Sequence, residues 1–277
     1  MNVLEEKWKK FRLSEGEATN IIFEEEEAEG LQFKEDWSLV CKACSMRTIS
    51  KVVLESTMAK VWRISKAAIF TEVSTNIFVV TFETQADKLR VSEGRPWLFD
   101  SHLIALKMFD GLTPPQGMVF DHASFWVRMH SLPLSYMTKA RGEQIGGTVG
   151  RVEEVVTQDD GSGWGNFLRV QINLNITQPL DRGRTIMVKG KEMWIPFSYE
   201  KLPRFCFSCG CIVHREECCS NIYGKEEGEE QYGSWMRASS GPQGRFYTNN
   251  RTESERKNKG KYGEEVGKEE KGGLKKR

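Results

Sequence analysis

Cys206, Cys209, His214 and Cys219 follow one another as C-x2-C-x4-H-x4-C within fourteen residues. Three thiols and one imidazole at this spacing supply the donors that one tetrahedral Zn²⁺ takes, as thiolates and a neutral ring. A loop so short encloses almost no apolar volume, so metal binding must provide most of its folding free energy. Cys218 adjoins Cys219. Either thiol fits as fourth donor, and Cys219 gives the regular spacing. Cys211 is a spare thiol inside the loop, able to compete for the metal or to oxidise.

The spacing is that of a zinc knuckle, a small module that grips single-stranded nucleic acid and offers a ring to an unstacked base. Phe207, just after the first thiol, is the candidate platform; Phe205, just before it, reads better as packing on the preceding domain. Arg204 and Arg215 flank the site as candidate phosphate partners. Arg182, Arg184, Lys189 and Lys191 surround one expected hairpin and form a candidate phosphate track, although solubility also accounts for such charges.

Catalytic patterns are weak. His102, His122 and His130 have no nucleophile at useful spacing. Asp159 and Asp160 lie in a Gly/Ser turn, where Asp bonds its own backbone. No phosphate-cradling G-x-x-x-x-G-K run occurs. Cys41 and Cys44 form a C-x2-C pair with no second pair nearby. The chain is therefore not expected to be an enzyme, and no small-molecule substrate is expected.

The 277 residues hold eight Trp and carry a net charge of +1, so a folded core is expected and any electrostatic grip must be local. The charged start lacks a hydrophobic stretch, and no apolar run reaches membrane-spanning length. An intracellular protein of the nucleus and/or cytoplasm is expected, without a membrane partner. Seven Cys then point to metal or free thiols rather than disulfides.

The elements that must position the site can be read from periodicity. Strands are expected at 38–45, 67–74, 77–84 and 102–109, with helices at 50–64 and 85–93. Ser50 is the expected cap of the first helix, and Gly94 ends the second. The order β-α-β-β-α-β is the ferredoxin-like pattern, also that of the RNA-recognition module. Phe78, Val80 and Phe82 share a strand face; base stacking there competes with an ordinary core role, which the central Val favours. After a Pro/Gly link come a strand at 125–130 and a helix at 136–145. Further strands follow at 151–157, 167–176, 185–189 and 192–199.

The expected fold class is α+β: a ferredoxin-like/RNA-recognition-like βαββαβ unit, a β-rich extension, a small zinc knuckle and a disordered C-terminal tail. The expected boundaries are a charged segment at 1–35, the α+β domain at 36–200 (one unit, or two at 36–112 and 120–200), the knuckle at 201–222 and the tail at 223–277. The acidic run from Glu24 to Glu27 reads as solvated. The tail is rich in Gly, Lys and Glu and poor in apolar residues, and its basic run at 256–261 is a weak nuclear-import or RNA-tail signal.

Five segments carry a resemblance. They are Glu93-Gly-Arg-Pro-Trp-Leu-Phe-Asp100, Phe125-Trp-Val-Arg-Met-His-Ser-Leu-Pro133, Gly163-Trp-Gly-Asn-Phe-Leu-Arg-Val170, Tyr199-Glu-Lys-Leu-Pro-Arg-Phe-Cys206 and Gln231-Tyr-Gly-Ser-Trp-Met-Arg-Ala238. In order and spacing they resemble plant LINE-type (non-LTR) retrotransposon proteins, in which a domain of unknown function precedes a CCHC knuckle. The resemblance covers roughly 36–238. It implies a gag-like binder of single-stranded RNA or DNA, or a relic of one, with one Zn²⁺ at Cys206, Cys209, His214 and Cys219. Self-association stays open as a further partnership. Two departures bear on binding. Val213 stands where such knuckles carry Gly before the His, and a β-branched residue suits a positive φ poorly. Asn166 and Gln171 stand where similar members carry Arg.

Overall fold

The apolar spacing of residues 50–62 is realised with Leu54, Met58 and Trp62, at i, i+4 and i+8, forming the buried stripe of a helix. The neighbouring Val53 and Val61, also apolar, stay exposed. In the computed structural model, residues 11–12, 14–22, 36–213 and 231–239 are described. In chain order they form β1 (Ser38–Ala43), α1 (Lys51–Trp62), β2 (Ala68–Ser74), β3 (Ile77–Phe82), α2 (Gln85–Glu93), β4 (Trp97–Phe99) and β5 (His102–Met108). Then follow β6 (His122–His130), α3 (Lys139–Gly146), β7 (Arg151–Val155), β8 (Phe167–Asn175), β9 (Gly183–Val188) and β10 (Lys191–Tyr199). The fold is mixed α/β with two antiparallel sheets, ordered β2-β3-β1-β5-β4 and β7-β8-β6-β10-β9.

Sheet 1 is buried on both faces, which explains the nearly unbroken apolar run of β1. Leu39, Cys41 and Ala43 join Phe78, Val80 and Phe82 of β3 in one core, against Leu54, Met58 and Trp62 of α1 and Val91 of α2. Trp62 stacks on Phe70, ring centres 5.7 Å apart. The aromatics of β3 are therefore core, as the central Val suggested. The opposite face, with Val40, Ile77, Leu103 and Ala105, belongs to a second core shared with Phe125, Val127 and Met129 of β6, and with Leu168, Val170 and Ile172 of β8. All described residues belong to one compact unit.

Two polar devices fix the helices. Thr84 caps α2, its hydroxyl accepting from the Asp87 amide at 3.2 Å. The buried Asp87 carboxylate accepts from the Ser65 amide and hydroxyl and from the Lys66 amide, and it pairs with Arg90 at 2.7 Å. Burial pushes its pKa up, but these hydrogen bonds prevail and hold it at about 2. In sheet 2, α3 lies very close to its strands because Gly142 and Gly146 face them. A Cβ at either would come within 2.7 Å of Val155 or Val152.

Three expectations need correction. A fifth strand, β4, was not read: Trp97, Leu98 and Phe99 form a three-residue edge paired to β5. Strand β6 begins at His122 rather than at 125, since its polar start pairs with Asn175, Leu174 and Asn173 of β8. Part of the stretch expected to be disordered is folded. Residues 231–239 return to the body, Met236 is 0 % exposed, and the Ala238 amide bonds the Tyr199 carbonyl at 2.9 Å. One fully buried methionine and an aromatic ring outweigh the polar composition around them. The acidic run at 24–27 and the basic run at 256–261 lie outside the described residues. No helix among the described residues is long and apolar enough to cross a membrane.

Candidate metal centre and nucleic-acid interface

Beyond β10 the chain turns at Lys201, where φ is 49°, and enters the cysteine loop through the buried Leu202 and Pro203. The Cys206 amide bonds the Cys211 carbonyl at 2.9 Å, and the Gly210 amide bonds the Cys206 carbonyl at 2.8 Å. These two bonds fold 206–211 into a one-turn reversal. Gly210 completes it at φ 78°, and the Tyr232 ring lies 2.4 Å from where a Cβ would stand. Both the backbone angle and the ring exclude any other residue there.

The reversal is stitched to the body. The Leu180 amide bonds the Gly210 carbonyl at 3.0 Å, and the Val213 amide bonds the Ile176 carbonyl at 3.0 Å. Cys211 pairs with Pro179 in an antiparallel bridge, is 1 % exposed, and points its thiol at the Cys209 carbonyl, 3.9 Å away. The spare thiol of the sequence is thus packed against the body. Val213 is not among the residues with positive φ; it is half-buried against the second core. The strain expected from a β-branched residue here does not arise.

Cys206 and Cys209 occupy the two ends of the C-x2-C step on this reversal. A pair of thiols on one tight turn is the donor arrangement a tetrahedral Zn²⁺ requires, so the described half of the site fits the metal. His214, Arg215, Cys218 and Cys219 lie outside the described residues. The other C-x2-C pair lies at β1 and the residue after it. Cys41 is a core residue of β1, and burial pushes its thiol up to about 12. Burial likewise raises Cys44, to about 11.

Between the two thiols Phe207 is 38 % exposed, with its ring centre 5.0 Å from that of Phe205. Phe205 packs against the second core and lies under the Arg237 guanidinium, 5.4 Å from the ring centre. Arg204 is held by its backbone, whose amide bonds the Ser101 carbonyl at 2.7 Å, and its side chain is exposed. The four basic residues of the hairpin separate. Arg182 and Arg184 sit at its base beside the cysteine loop, but both are engaged. Arg182 bonds Gln231 and lies over the Tyr232 ring. Arg184 pairs with Asp181 and donates to the Thr148 carbonyl. Lys189 and Lys191 flank the tight turn at Gly190, about 20 Å away at the strand rise of ~3.3 Å per residue. The four do not form one continuous track.

Sequence reasoning missed the arginine–aromatic stack on the outer face of sheet 2. The Arg169 guanidinium lies 3.6 Å from the Trp126 ring centre, and that of Arg128 lies 4.4 Å from the Phe167 ring centre. Glu200 accepts from Arg128 at 2.7 Å and from Arg169 at 2.9 and 3.0 Å. Burial raises the Glu200 pKa, but the two guanidinium groups outweigh it and leave it below the usual carboxylate range. The participants come from β6, β8 and the turn that follows β10, whose adjacency no local pattern reveals.

Comparison with known proteins bears on this site. The zinc knuckle family profile matches residues 174–221. This interval includes all four proposed ligands. The chain is also 27 % identical over 135 residues to Uncharacterized protein At4g02000 of Arabidopsis thaliana, a stretch covering 48 % of this chain and 42 % of that protein. The chain therefore spans less than half the length of this relative. A CCHC zinc knuckle and a distant plant relative are what these similarities support.

Proposed function

We propose that this chain is a non-enzymatic, zinc-dependent binder of single-stranded RNA or DNA. The observation that carries the reading is the thiol pair Cys206 and Cys209 on a one-turn reversal, with Phe207 exposed between them. One zinc ion, held by Cys206, Cys209, His214 and Cys219, would supply the folding free energy of the loop. Phe207 would stack one unstacked base, and Arg204 with Arg215 would pair phosphates and provide most of the affinity.

The strand order β2-β3-β1-β5 agrees with a ferredoxin-like unit. Its helix-free face is packed into the second core, so the reading assigns base stacking to the knuckle and not to that face. We further read the chain as a gag-like product or relic of a plant non-LTR retrotransposon. The order and spacing of its five motifs are what support that origin. The reading assigns it no catalytic role, no membrane partner and a place in the nucleus and/or cytoplasm.

A second reading draws on the burial of Cys211 and Ile212 against the body. There zinc only staples the end of the fold, and the protein is an interaction scaffold. Titrating labelled single-stranded RNA into zinc-loaded and chelated protein separates the two. Zinc-dependent, salt-sensitive binding is the expected result. Absence of binding at moderate salt, with zinc still needed for folding, selects the scaffold. Binding that survives chelation removes the knuckle as the site.

A further inference from the structure

A groove of about 760 Å³ runs beside the cysteine loop. Cys206 and Val213 line it together with the end of β1, the loop that follows β1 and the start of β5. Lys42, Arg47 and Arg204 line it, against one carboxylate, Asp100. None of these three cations is in an ion pair among the described residues. They contrast with Arg184, which Asp181 neutralises.

Arg47 is also preplaced. Asn76 is buried at φ 60° and clamps the loop that carries it: its amide donates to the Ser45 carbonyl at 3.1 Å and the Arg47 carbonyl at 2.9 Å, and its oxygen accepts from the Ile49 amide at 2.8 Å. A cation on a loop already fixed loses little conformational freedom when it meets a phosphate. Phe205 and Met46 share the lining with these charges, and Met46 is 97 % exposed. A positive groove with apolar platforms is the arrangement by which proteins hold single strands without reading sequence.

We infer that this groove carries the single strand onward from the knuckle, with Lys42, Arg47 and Arg204 as phosphate contacts. The inference rests on the nucleic-acid reading above and extends it by a second contact surface beside the knuckle. Excess positive charge and continuity with Cys206 point to this occupant. An acidic peptide matches the charge but has no reason to begin at the knuckle.

The test uses the full chain with zinc bound and end-labelled oligouridylates of about four and about twelve nucleotides, which bracket common single-strand site sizes. Wild type is compared with the double variant Lys42→Gln/Arg47→Gln by anisotropy over a range of salt. For the longer oligomer the variant should bind at least about tenfold more weakly, and its log–log salt slope should be shallower by about 1.4, roughly 0.7 for each lost phosphate contact. The shorter oligomer should bind both proteins alike. Photoreactive uridines in the longer oligomer should crosslink wild type within residues 42–50, a readout that does not depend on the variant folding. Zinc-dependent binding with an unchanged slope and no such crosslink overturns the inference and leaves the knuckle reading intact. No binding of either oligomer by zinc-loaded wild type overturns both. Displacement of the longer oligomer by polyglutamate at equal concentration overturns the assigned occupant.

Discussion

His130 shows how a residue without chemistry still carries a pH signature. Its ring is buried, packs edge-on to Phe167 at 5.5 Å, and has Nε2 2.8 Å from the Ser198 hydroxyl. Burial first, and then the neighbouring Arg128 charge, lower its pKa to about 4 from the ordinary 6.5. The folded state thus binds a proton less readily than the unfolded chain. The neutral ring's contribution is fully present above pH 6.5 and is lost as pH falls toward 4. By about pH 5 the loss should reach roughly 2 kcal/mol. Urea midpoints of wild type and His130→Gln across this range check it: the variant should lose less stability on acidification, and parallel curves would exclude the role. The neighbouring lesson concerns Val213. The expected strain belonged to a backbone angle the residue does not adopt, because its amide is drawn to the Ile176 carbonyl.

Among the elements, the cysteine loop stands out for depending on two sources of order. On the zinc-knuckle reading its own turn depends on the metal, whereas Leu180, Ile176 and Pro179 tie its backbone to sheet 2, and Tyr232 of residues 231–239 packs against Gly210. Arg237 reinforces that packing by donating to the Pro203 carbonyl at 2.9 Å. Chelating zinc should therefore free the amides of 206–213 and 231–239 to exchange, while β6 and β8 keep their protection. Hydrogen exchange followed by mass spectrometry reads this directly. Loss of protection throughout sheet 2 would mean that the metal supports the whole body.

For the whole molecule, the decisive fact is that the second core draws side chains from both sheets. Val40, Ile77, Leu103 and Ala105 of sheet 1 would lose their cover if residues beyond 112 were removed. Chemical unfolding of zinc-loaded protein should then give one transition, with coincident curves from tryptophan fluorescence and far-ultraviolet circular dichroism. A fragment of residues 36–112 should be far less stable than the intact chain and prone to aggregate through that face. Two separated transitions would show that the sheets fold independently.

Most strands and helices were legible because periodicity and chain breaks are local: the apolar stripe of α1, Gly94 at the end of α2, the alternation of β8. The zinc-knuckle motif was legible for the same reason, since a short loop must hold its ligands close in sequence. The Thr84 cap was not read, and Ser50, read as a cap, makes no side-chain capping bond. What the tertiary structure alone decided is contact between distant segments. Nothing near β1 announces that both its faces are covered. Nothing near Met236 announces that its stretch returns to β10, because burial depends on what arrives from elsewhere. Lys42, Arg47 and Arg204 meet in one groove although some 160 residues separate the first from the last. Local propensity governs the sequence-near part of the fold. Packing of surfaces far apart in the chain governs which charges end up free, and therefore where a partner can bind.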